Sequence, residues 1–316
     1  MTDRYMAYLR DVRRYSVRTQ AIYRAALDDF ASWAGTSDIT GHLIPSRLRE
    51  YEGHLIEAGI SPRTVHLHMS ALSGFCNFLI KEGLMTYNPV RSVRRPKMGK
   101  RLPEYYTDKS LEEYFADTAH SASAEELRIL ETASGKLFAD MYRRRLRRLI
   151  IVILYSTGIR RAELLGLTVG SVNMERSTLR VRGKGDKMRE IPLVSSTTEE
   201  ISLYLHAASL TGAERTKDSP LLVTEKGTPL YPVYIDRAVK QELGAAGIPG
   251  RKSPHVLRHS LATALLDEGA DLEAIKQMLG HANLAATEVY THNSAERLKA
   301  QYINAHPRAK KGDSYD

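Results

Sequence analysis

Residues Arg143–Leu167 have the sequence RRRLRRLIIVILYSTGIRRAELLGL, and three parts follow one another within it. The opening RRRLRR is strongly basic and predicts a helix that starts at the surface. LIIVIL is apolar at every position, which indicates a helix buried on all sides. Thr157-Gly158 then breaks the helical pattern before a further helix. Arg160 would therefore project from the end of a rigid element.

Beyond Gly170 the hydrophobic period changes to two. The segments STLRVRG and KMREIPL alternate apolar and polar residues on either side of GKGD, a pattern typical of a hairpin or part of a small sheet. From Tyr231 onward the pattern is helical again. We therefore predict a mainly α fold with a small antiparallel β-sheet in this half of the chain.

The N-terminal side of the chain is predicted to be helical throughout. One helix begins after a Ser16 cap and stops at Gly35, and another begins at Ser61-Pro62 and stops at Gly83. Asn88-Pro89 ends this bundle. We predict a helical domain over 1–92, a basic linker over 93–106, a second domain over 107–305 and a polar tail over 306–316.

Charge and composition indicate the cellular compartment in which the protein is expected and the kind of partner that it could bind. The net charge is +9, and the linker stretch RSVRRPKMGKR holds six bases and no acid; this is either a solvated linker or the contact surface for a polyanion. The single cysteine, Cys76, fits a reducing cytoplasm. LIIVIL is too short to span a bilayer, and the N-terminus lacks a signal peptide. A cytoplasmic protein is expected.

Several residues stand where secondary-structure propensity alone does not explain them. Arg160 follows the break, and Lys184 lies between two glycines at the hairpin tip. His255 and Arg258 share one helix face, with His259 on a neighbouring face as an alternative partner. His281 follows a helix stop, and Tyr290 comes nine residues later. Taken singly, each has an ordinary explanation: a surface arginine, a solvated tip, a helix cap or one of 17 tyrosines.

As a set, these residue types suit the cleavage of a phosphate ester without a metal. Arginines bind phosphate oxygens bidentately and stabilise the charge of the transition state. A lysine or histidine can protonate the leaving oxygen, and a tyrosine beside cations becomes a usable nucleophile. The sequence has no acidic cluster for Mg²⁺, no zinc pattern and no GxxxxGK[ST] loop. No cofactor is expected.

Four boxes give the chain a resemblance to a known family. TGIRRAELLGL, VRGKGDKMREIPL, SPHVLRHSLATALLDEGADLEAIKQMLGH and TEVYTH, in this order, resemble the conserved boxes of the tyrosine recombinases, or phage integrases, and most of all the compact Xer-type enzymes. The resemblance implies a two-domain, C-shaped DNA clamp. Residues 1–92 would be its SAM-like core-DNA-binding domain, and 107–305 its catalytic domain.

The resemblance also implies residue roles. Arg160 and Arg258 would clamp the phosphate, with Glu163 supporting Arg160. Lys184 would protonate the 5′-hydroxyl leaving group, His255 would assist proton transfer, and His281 would hydrogen-bond the phosphate. Tyr290 would attack it and form a 3′-phosphotyrosyl bond without metal or ATP. Further DNA contacts are expected from Arg63, Arg94, Arg95, Lys97 and Lys187.

The implied partner is double-stranded DNA with a specific core site, bound by a homotetramer or heterotetramer on two such sites. A second recombinase or an activating protein is possible, a membrane is not expected, and the protein would be nucleoid-associated. The role would be chromosome dimer resolution or integration and excision of a mobile element. Two alternatives stay open: relaxation of supercoils as in a type IB topoisomerase, and a binding-only architectural or regulatory protein.

Two segments depart from the family or are left undecided. The stretch 119–140 is polar and longer than expected, so it is predicted to be an insertion that alters DNA or partner contacts. The last helix, about 294–304, would dock on a neighbouring protomer in relatives, or it could pack on its own domain.

Overall fold

The structure, a computed structural model, describes residues 1–96, 104–183 and 186–280, together with Tyr302, Ala305 and Arg308. The chain divides into two units, Met1–Arg101 and Leu102–Asp316, here called the N-terminal and C-terminal units. The division falls at 101/102; the functions predicted for the two domains stay predictions. No helix in the described ranges is long and apolar enough to cross a membrane.

Four α-helices form the N-terminal unit: α1 (Thr2–Asp11), α2 (Val17–Ala34), α3 (Pro45–Glu57) and α4 (Pro62–Lys81). Ser16 and Ser61 accept hydrogen bonds from the backbone amides of Thr19 and Thr64, as N-caps do, and Gly35 ends α2 in the left-handed conformation. The core lies between these helices and includes Phe30, Tyr51, Phe75 and Cys76.

The C-terminal unit contains eight further described helices and three strands. The helices are α5 (Asp108–Asp117), α6 (Ala124–Thr132), α7 (Gly135–Thr157), α8 (Arg161–Leu165), α9 (Ser195–Ser209), α10 (Pro232–Ala245), α11 (Pro254–Asp267) and α12 (Leu272–Leu279). The strands are β1 (Val172–Asn173), β2 (Thr178–Arg182) and β3 (Met188–Pro192), ordered β1-β2-β3 and antiparallel throughout. The predicted mainly α fold with a small antiparallel sheet is confirmed.

Helix α7 forms the centre of the C-terminal unit. Every residue from Arg148 to Thr157 is buried, and α9, α10 and α11 all pack on this helix. A helix that is apolar all round must be covered on every side, which explains its central place. It ends at Gly158, whose φ of 60° is left-handed.

The β2–β3 hairpin has one inward and one outward face. Leu179 and Ile191 form one buried cross-strand pair, while Arg180 and Glu190 form an exposed pair. Arg189 lies opposite Val181 on the inward face, and this charged residue therefore points toward the interior of the unit.

The stretch 119–140 is helical rather than irregular. A 3-10 turn spans Ala119–Ala122, α6 follows, and α7 begins within the stretch. Leu127 and Leu130 are buried against the core, so this segment is part of the C-terminal unit. Its predicted effect on DNA or partner contacts stays a prediction.

Near the C-terminus, the three described residues pack on their own chain. Tyr302 and Ala305 are buried in the core of the C-terminal unit, and the Tyr302 hydroxyl donates to the carbonyl of Ser156. Arg308 donates to Glu200 at 2.7 Å. The predicted helix over 294–304 otherwise lies outside the described residues.

Candidate active site

The turn between α7 and α8 places Arg160. Gly158 allows the chain to reverse, and Arg160 then takes an extended conformation as the N-cap of α8. A Cβ atom at position 158 would lie 2.5 Å from Leu279 Cδ2, so this turn packs directly against the end of α12. The local sequence therefore brings Arg160 close to the residue that precedes Gly280 and His281.

Glu163 joins two arginines. Its Oε1 accepts from the guanidinium of Arg160 at 2.9 Å, and its Oε2 accepts from the Arg160 backbone amide at 2.8 Å. Arg189 donates to both carboxylate oxygens, at 3.1 and 2.8 Å. Burial alone would raise the pKa of Glu163, but the bonds from Arg189 and Arg160 outweigh it and lower the pKa below its usual value. Glu163 is therefore a carboxylate at neutral pH.

Arg258 approaches the same place from α11. It is buried, and its guanidinium donates to the carbonyl of Gly158 at 2.5 Å and to that of Leu279 at 2.7 Å. Burial, followed by repulsion from Arg160 and Arg189, lowers the pKa of Arg258 to about 10 against the attraction of Glu163. The guanidinium still carries its charge at neutral pH.

The C-terminal end of α12 is where the three arginines meet. Consecutive carbonyls accept from different residues: Met278 from Arg189 at 2.9 Å, Leu279 from Arg258, and Gly280 from Arg160 at 2.9 Å. Helix C-termini expose unpaired carbonyls and a partial negative charge, and cations satisfy both. The arginines thereby fix the backbone from which the next residue, His281, departs. We call Arg160, Glu163, Arg189 and Arg258 the arginine cluster.

The arginine cluster carries more positive than negative charge and is only partly covered. The Arg160 side chain is 37% exposed, whereas those of Arg189 and Glu163 are 14% and 6% exposed. An anion arriving from solvent would therefore meet Arg160 first. A phosphate suits such a site because guanidinium groups bind its oxygens in pairs and stay charged.

Of the remaining predicted catalytic residues, one is described by the structure and three are not. His255 is exposed on α11, one helical turn before Arg258. Its neighbour His259 is half-buried and meets Tyr105 edge to face, with ring centroids 6.5 Å apart. Lys184, His281 and Tyr290 lie outside the described residues. The structure thus brings Arg160, Glu163 and Arg258 together, and the catalytic roles stay predictions.

Four of the five predicted DNA-binding residues are described. Arg63, Arg94, Arg95 and Lys187 are all exposed, and Lys97 lies outside the described residues. Arg95 donates to the hydroxyl of Ser70 on α4 at 3.2 Å, which brings the start of the linker beside that helix. Their role in DNA binding stays a prediction.

Arg189 is the residue of this site that was not predicted from the sequence. The alternation in KMREIPL contains a usable signal, because Arg189 has the same parity as Ile191 and so falls on the buried face of β3. A charged residue on the apolar face of a strand needs a buried partner. Glu163 is that partner, 26 residues earlier in the chain.

Two family models match the chain. The model of the phage integrase family matches residues 123–297, and the model of the phage integrase N-terminal SAM-like domain matches residues 2–83. The first match contains every predicted catalytic position, from Arg160 to Tyr290.

Curated relatives match over nearly the whole length. Tyrosine recombinase XerC of Bacillus licheniformis is 34% identical over 318 residues, covering 98% of this chain and 96% of the relative. Tyrosine recombinase XerC of Bacillus subtilis is 32% identical, with 96% and 95% covered. That of Chlorobaculum parvum is 31% identical, with 96% and 94% covered.

Solved structures share the fold. The XerH site-specific recombinase in a post-cleavage complex with a palindromic difH substrate has a TM-score of 0.67 and 23% identity, covering 95% of this chain and 83% of that one. The Tn1549 transposon integrase in complex with transposon right end DNA has a TM-score of 0.66 and 18% identity, with 94% and 97% covered.

Proposed function

Because this chain belongs to the phage integrase family and is an Xer-type tyrosine recombinase, we propose that it cleaves and rejoins double-stranded DNA at a specific core site through a 3′-phosphotyrosyl intermediate. The observation that carries this proposal is the arginine cluster. It presents Arg160 and Arg258 beside the helix end that leads into His281. Two of the solved structures that resemble this chain are complexes, one with a palindromic difH substrate and one with transposon right end DNA, which supports DNA as the partner.

The proposed first step is an attack by the Tyr290 hydroxyl oxygen on the scissile phosphorus. A bond forms between tyrosine oxygen and phosphorus, and the bond to the 5′-oxygen breaks. Arg160 and Arg258 neutralise the charge that develops on the non-bridging oxygens, and His281 donates a hydrogen bond to the same phosphate. His255 assists removal of the tyrosine proton, and Lys184 protonates the departing 5′-oxygen.

Rejoining reverses this step. A 5′-hydroxyl from the second DNA duplex attacks the phosphotyrosyl phosphorus, and Tyr290 leaves with a proton. One phosphoester is exchanged for another, so the bond energy is kept within the intermediate and the reaction needs no nucleotide. The proposed assembly is a tetramer on two core sites, in which pairs of protomers act in turn. Both a role in chromosome dimer resolution and one in mobile-element movement are compatible with this chemistry.

The test is covalent capture. Duplexes that bind the full chain are first recovered from a randomised pool, and the recovered site is then nicked so that the cleaved strand is released. On a denaturing gel, the wild-type protein is expected to give a protein–DNA adduct. Tyr290→Phe should give none while binding the duplex normally.

Tyr231→Phe is the matched control, because Tyr231 is a half-exposed tyrosine of the same unit and should leave the adduct intact. An adduct that persists in Tyr290→Phe would reject Tyr290 as nucleophile. Tight binding with no adduct from wild type, even with a partner recombinase added, would favour a binding-only protein.

A further inference from the structure

Arg189 is anchored from the inward face of β3. Val181 lies opposite Arg189 on β2. The Arg189 side chain is 14% exposed, so its guanidinium lies largely inside the C-terminal unit. Strand β3 begins four residues after Lys184, and at the end of the paired strands the Gly183 amide donates to the Lys187 carbonyl at 2.8 Å. Whatever fixes Arg189 therefore also fixes the chain on either side of positions 184 and 185.

Two other segments hold the Arg189 guanidinium. Its NH1 and NH2 groups bind both oxygens of Glu163, which also holds Arg160. Its Nε donates to the carbonyl of Met278, in the last turn of α12. One side chain thus ties the hairpin to α8 and to the helix end that precedes His281.

The fit is specific to an arginine. A planar guanidinium can direct two N–H groups at a carboxylate while its Nε–H points elsewhere, whereas a lysine ammonium cannot reproduce that arrangement. A Cβ atom at Gly280 would lie 3.2 Å from the Arg189 guanidinium, so the group also packs closely against Gly280, the C-cap of α12.

We propose that Arg189 is a positioning residue for the cleavage reaction, one that holds Arg160, the strand that follows Lys184 and the helix end that precedes His281 in register with one another. This inference rests on the proposed function. It assigns Arg189 no contact with DNA. Its loss should therefore slow the chemical step and leave DNA affinity unchanged.

The experiment compares single-turnover cleavage of the nicked duplex by full-length variants at saturating protein, with the Kd measured in parallel. Arg189→Gln is expected to lower the cleavage rate about 100-fold, since catalytic geometry is this sensitive to small displacements. Its Kd should stay within about twofold of wild type, because a loss confined to the transition state leaves ground-state binding intact. Arg189→Lys should lose roughly 10-fold, because it keeps the charge and loses the bidentate geometry.

Arg145→Gln is the matched control for lost stability. Arg145 is another buried arginine of the C-terminal unit; it donates to the carbonyls of Ala122 and Ser123, away from the arginine cluster. Its cleavage rate at a temperature where it is folded should match wild type. Urea unfolding of both variants identifies any general weakening.

The outcomes separate cleanly. Slow cleavage with normal Kd in Arg189→Gln, absent from Arg145→Gln, supports the inference. A wild-type rate in Arg189→Gln, or an equal loss in Arg145→Gln, overturns it. If Arg189→Gln does not fold, Arg189→Lys decides, and a wild-type rate there also overturns it. Absence of any Tyr290-dependent adduct from the wild-type protein would instead reject the proposed function and this inference with it.

Discussion

At the scale of single residues, Glu163 is what allows three guanidinium groups to lie together. Arg160 and Arg189 both bind it, and burial, with added repulsion from these two arginines, lowers the pKa of Arg258. A buried carboxylate that loses its charge would leave that repulsion uncompensated. Glu163 thus connects the stability of the C-terminal unit to the electrostatics of the site.

Glu163→Gln is predicted to lower the free energy of unfolding at neutral pH by about 3 kcal/mol, the cost of leaving one side of a buried ion pair without its partner. The pKa of Glu163 is lowered in the folded protein from its usual 4.5. The carboxylate therefore stabilises the fold fully above about pH 5, and this contribution is lost as pH falls through the lowered folded pKa. Urea unfolding from pH 8 down to about pH 2 should show the free energies of unfolding of wild type and variant converging at the acidic end.

Glu190→Gln is the control, because Glu190 is exposed on the outward face of the same strand. It should change the free energy of unfolding by less than about 0.5 kcal/mol at every pH. A Glu163→Gln difference that stayed constant down to about pH 2 would show that charge is not the source of its stabilisation.

The sequence could predict the contact of Glu163 with Arg160 from their spacing of three residues. Arg160 is the N-cap of α8, however, and Glu163 at the third helical position binds back to it as in a capping box. The sequence could not predict the contact with Arg189, because that pairing depends on how the hairpin docks on α8. The Met278 carbonyl that Arg189 binds is still further away, 89 residues along the chain. Such pairings follow from tertiary packing and have no local signal beyond strand parity.

At the scale of elements, the sequence predicted those helices and helix ends that capping residues and hydrophobic periodicity determine. The Ser16 and Ser61 caps, the Gly158 break and the buried α7 all follow from such signals. Helix α6 was not predicted, since its two buried leucines, Leu127 and Leu130, give too short an apolar pattern to separate it from its polar surroundings.

The arginines in the middle of α7 show the limit of inferring the role of charge from sequence. The sequence predicted that a helix starts at this basic run, but α7 begins at Gly135, eight residues before Arg143. Arg148 binds Glu200 with two hydrogen bonds, at 3.1 and 2.9 Å, and also donates to the carbonyl of Phe115. Arg143 binds Glu225, and Arg145 binds carbonyls in the stretch before α6. The run therefore joins surrounding segments to the central helix, which is a structural role.

Arg148→Ala is predicted to destabilise the protein by about 3 kcal/mol, because it leaves the largely covered Glu200 carboxylate, whose side chain is 11% exposed, with one fewer partner. Arg144→Ala, at a side chain 50% exposed and 3.8 Å from Glu126, should cost less than about 1 kcal/mol. Urea unfolding followed by circular dichroism measures both. Equal losses would contradict the structural role, as would a weaker salt dependence of DNA binding in Arg148→Ala.

At the scale of the whole molecule, some positive side chains bind groups of their own chain and others are exposed to solvent. In the C-terminal unit, arginines such as Arg148 and Arg189 bind carboxylates and carbonyls of their own chain. At the end of the N-terminal unit, Arg94 and Arg95 are exposed just before the rest of the basic linker. The net charge of +9 therefore does not show which positive side chains are free to bind a polyanion, and those at the start of the basic linker are better placed to do so.

Arg94→Gln/Arg95→Gln is predicted to weaken DNA binding and to reduce the slope of log Kd against log salt by about 0.9 for each phosphate that the protein no longer neutralises. Because these side chains lie in the other unit from the arginine cluster, cleavage at saturating protein should keep its wild-type rate. The salt slope is measured by titrating labelled duplex at several salt concentrations.

The control for this prediction is Arg10→Gln/Arg24→Gln. Both arginines are exposed but ion-paired, Arg10 with Asp11 at 2.7 Å, so their removal should leave the slope unchanged. An unchanged slope in Arg94→Gln/Arg95→Gln would mean that this basic segment is solvated in the complex, and that phosphates are bound elsewhere on the chain. A reduced slope together with slower cleavage at saturation would mean that the linker also helps to place the scissile phosphate, which would give the charged segment a part in the chemistry as well as in affinity.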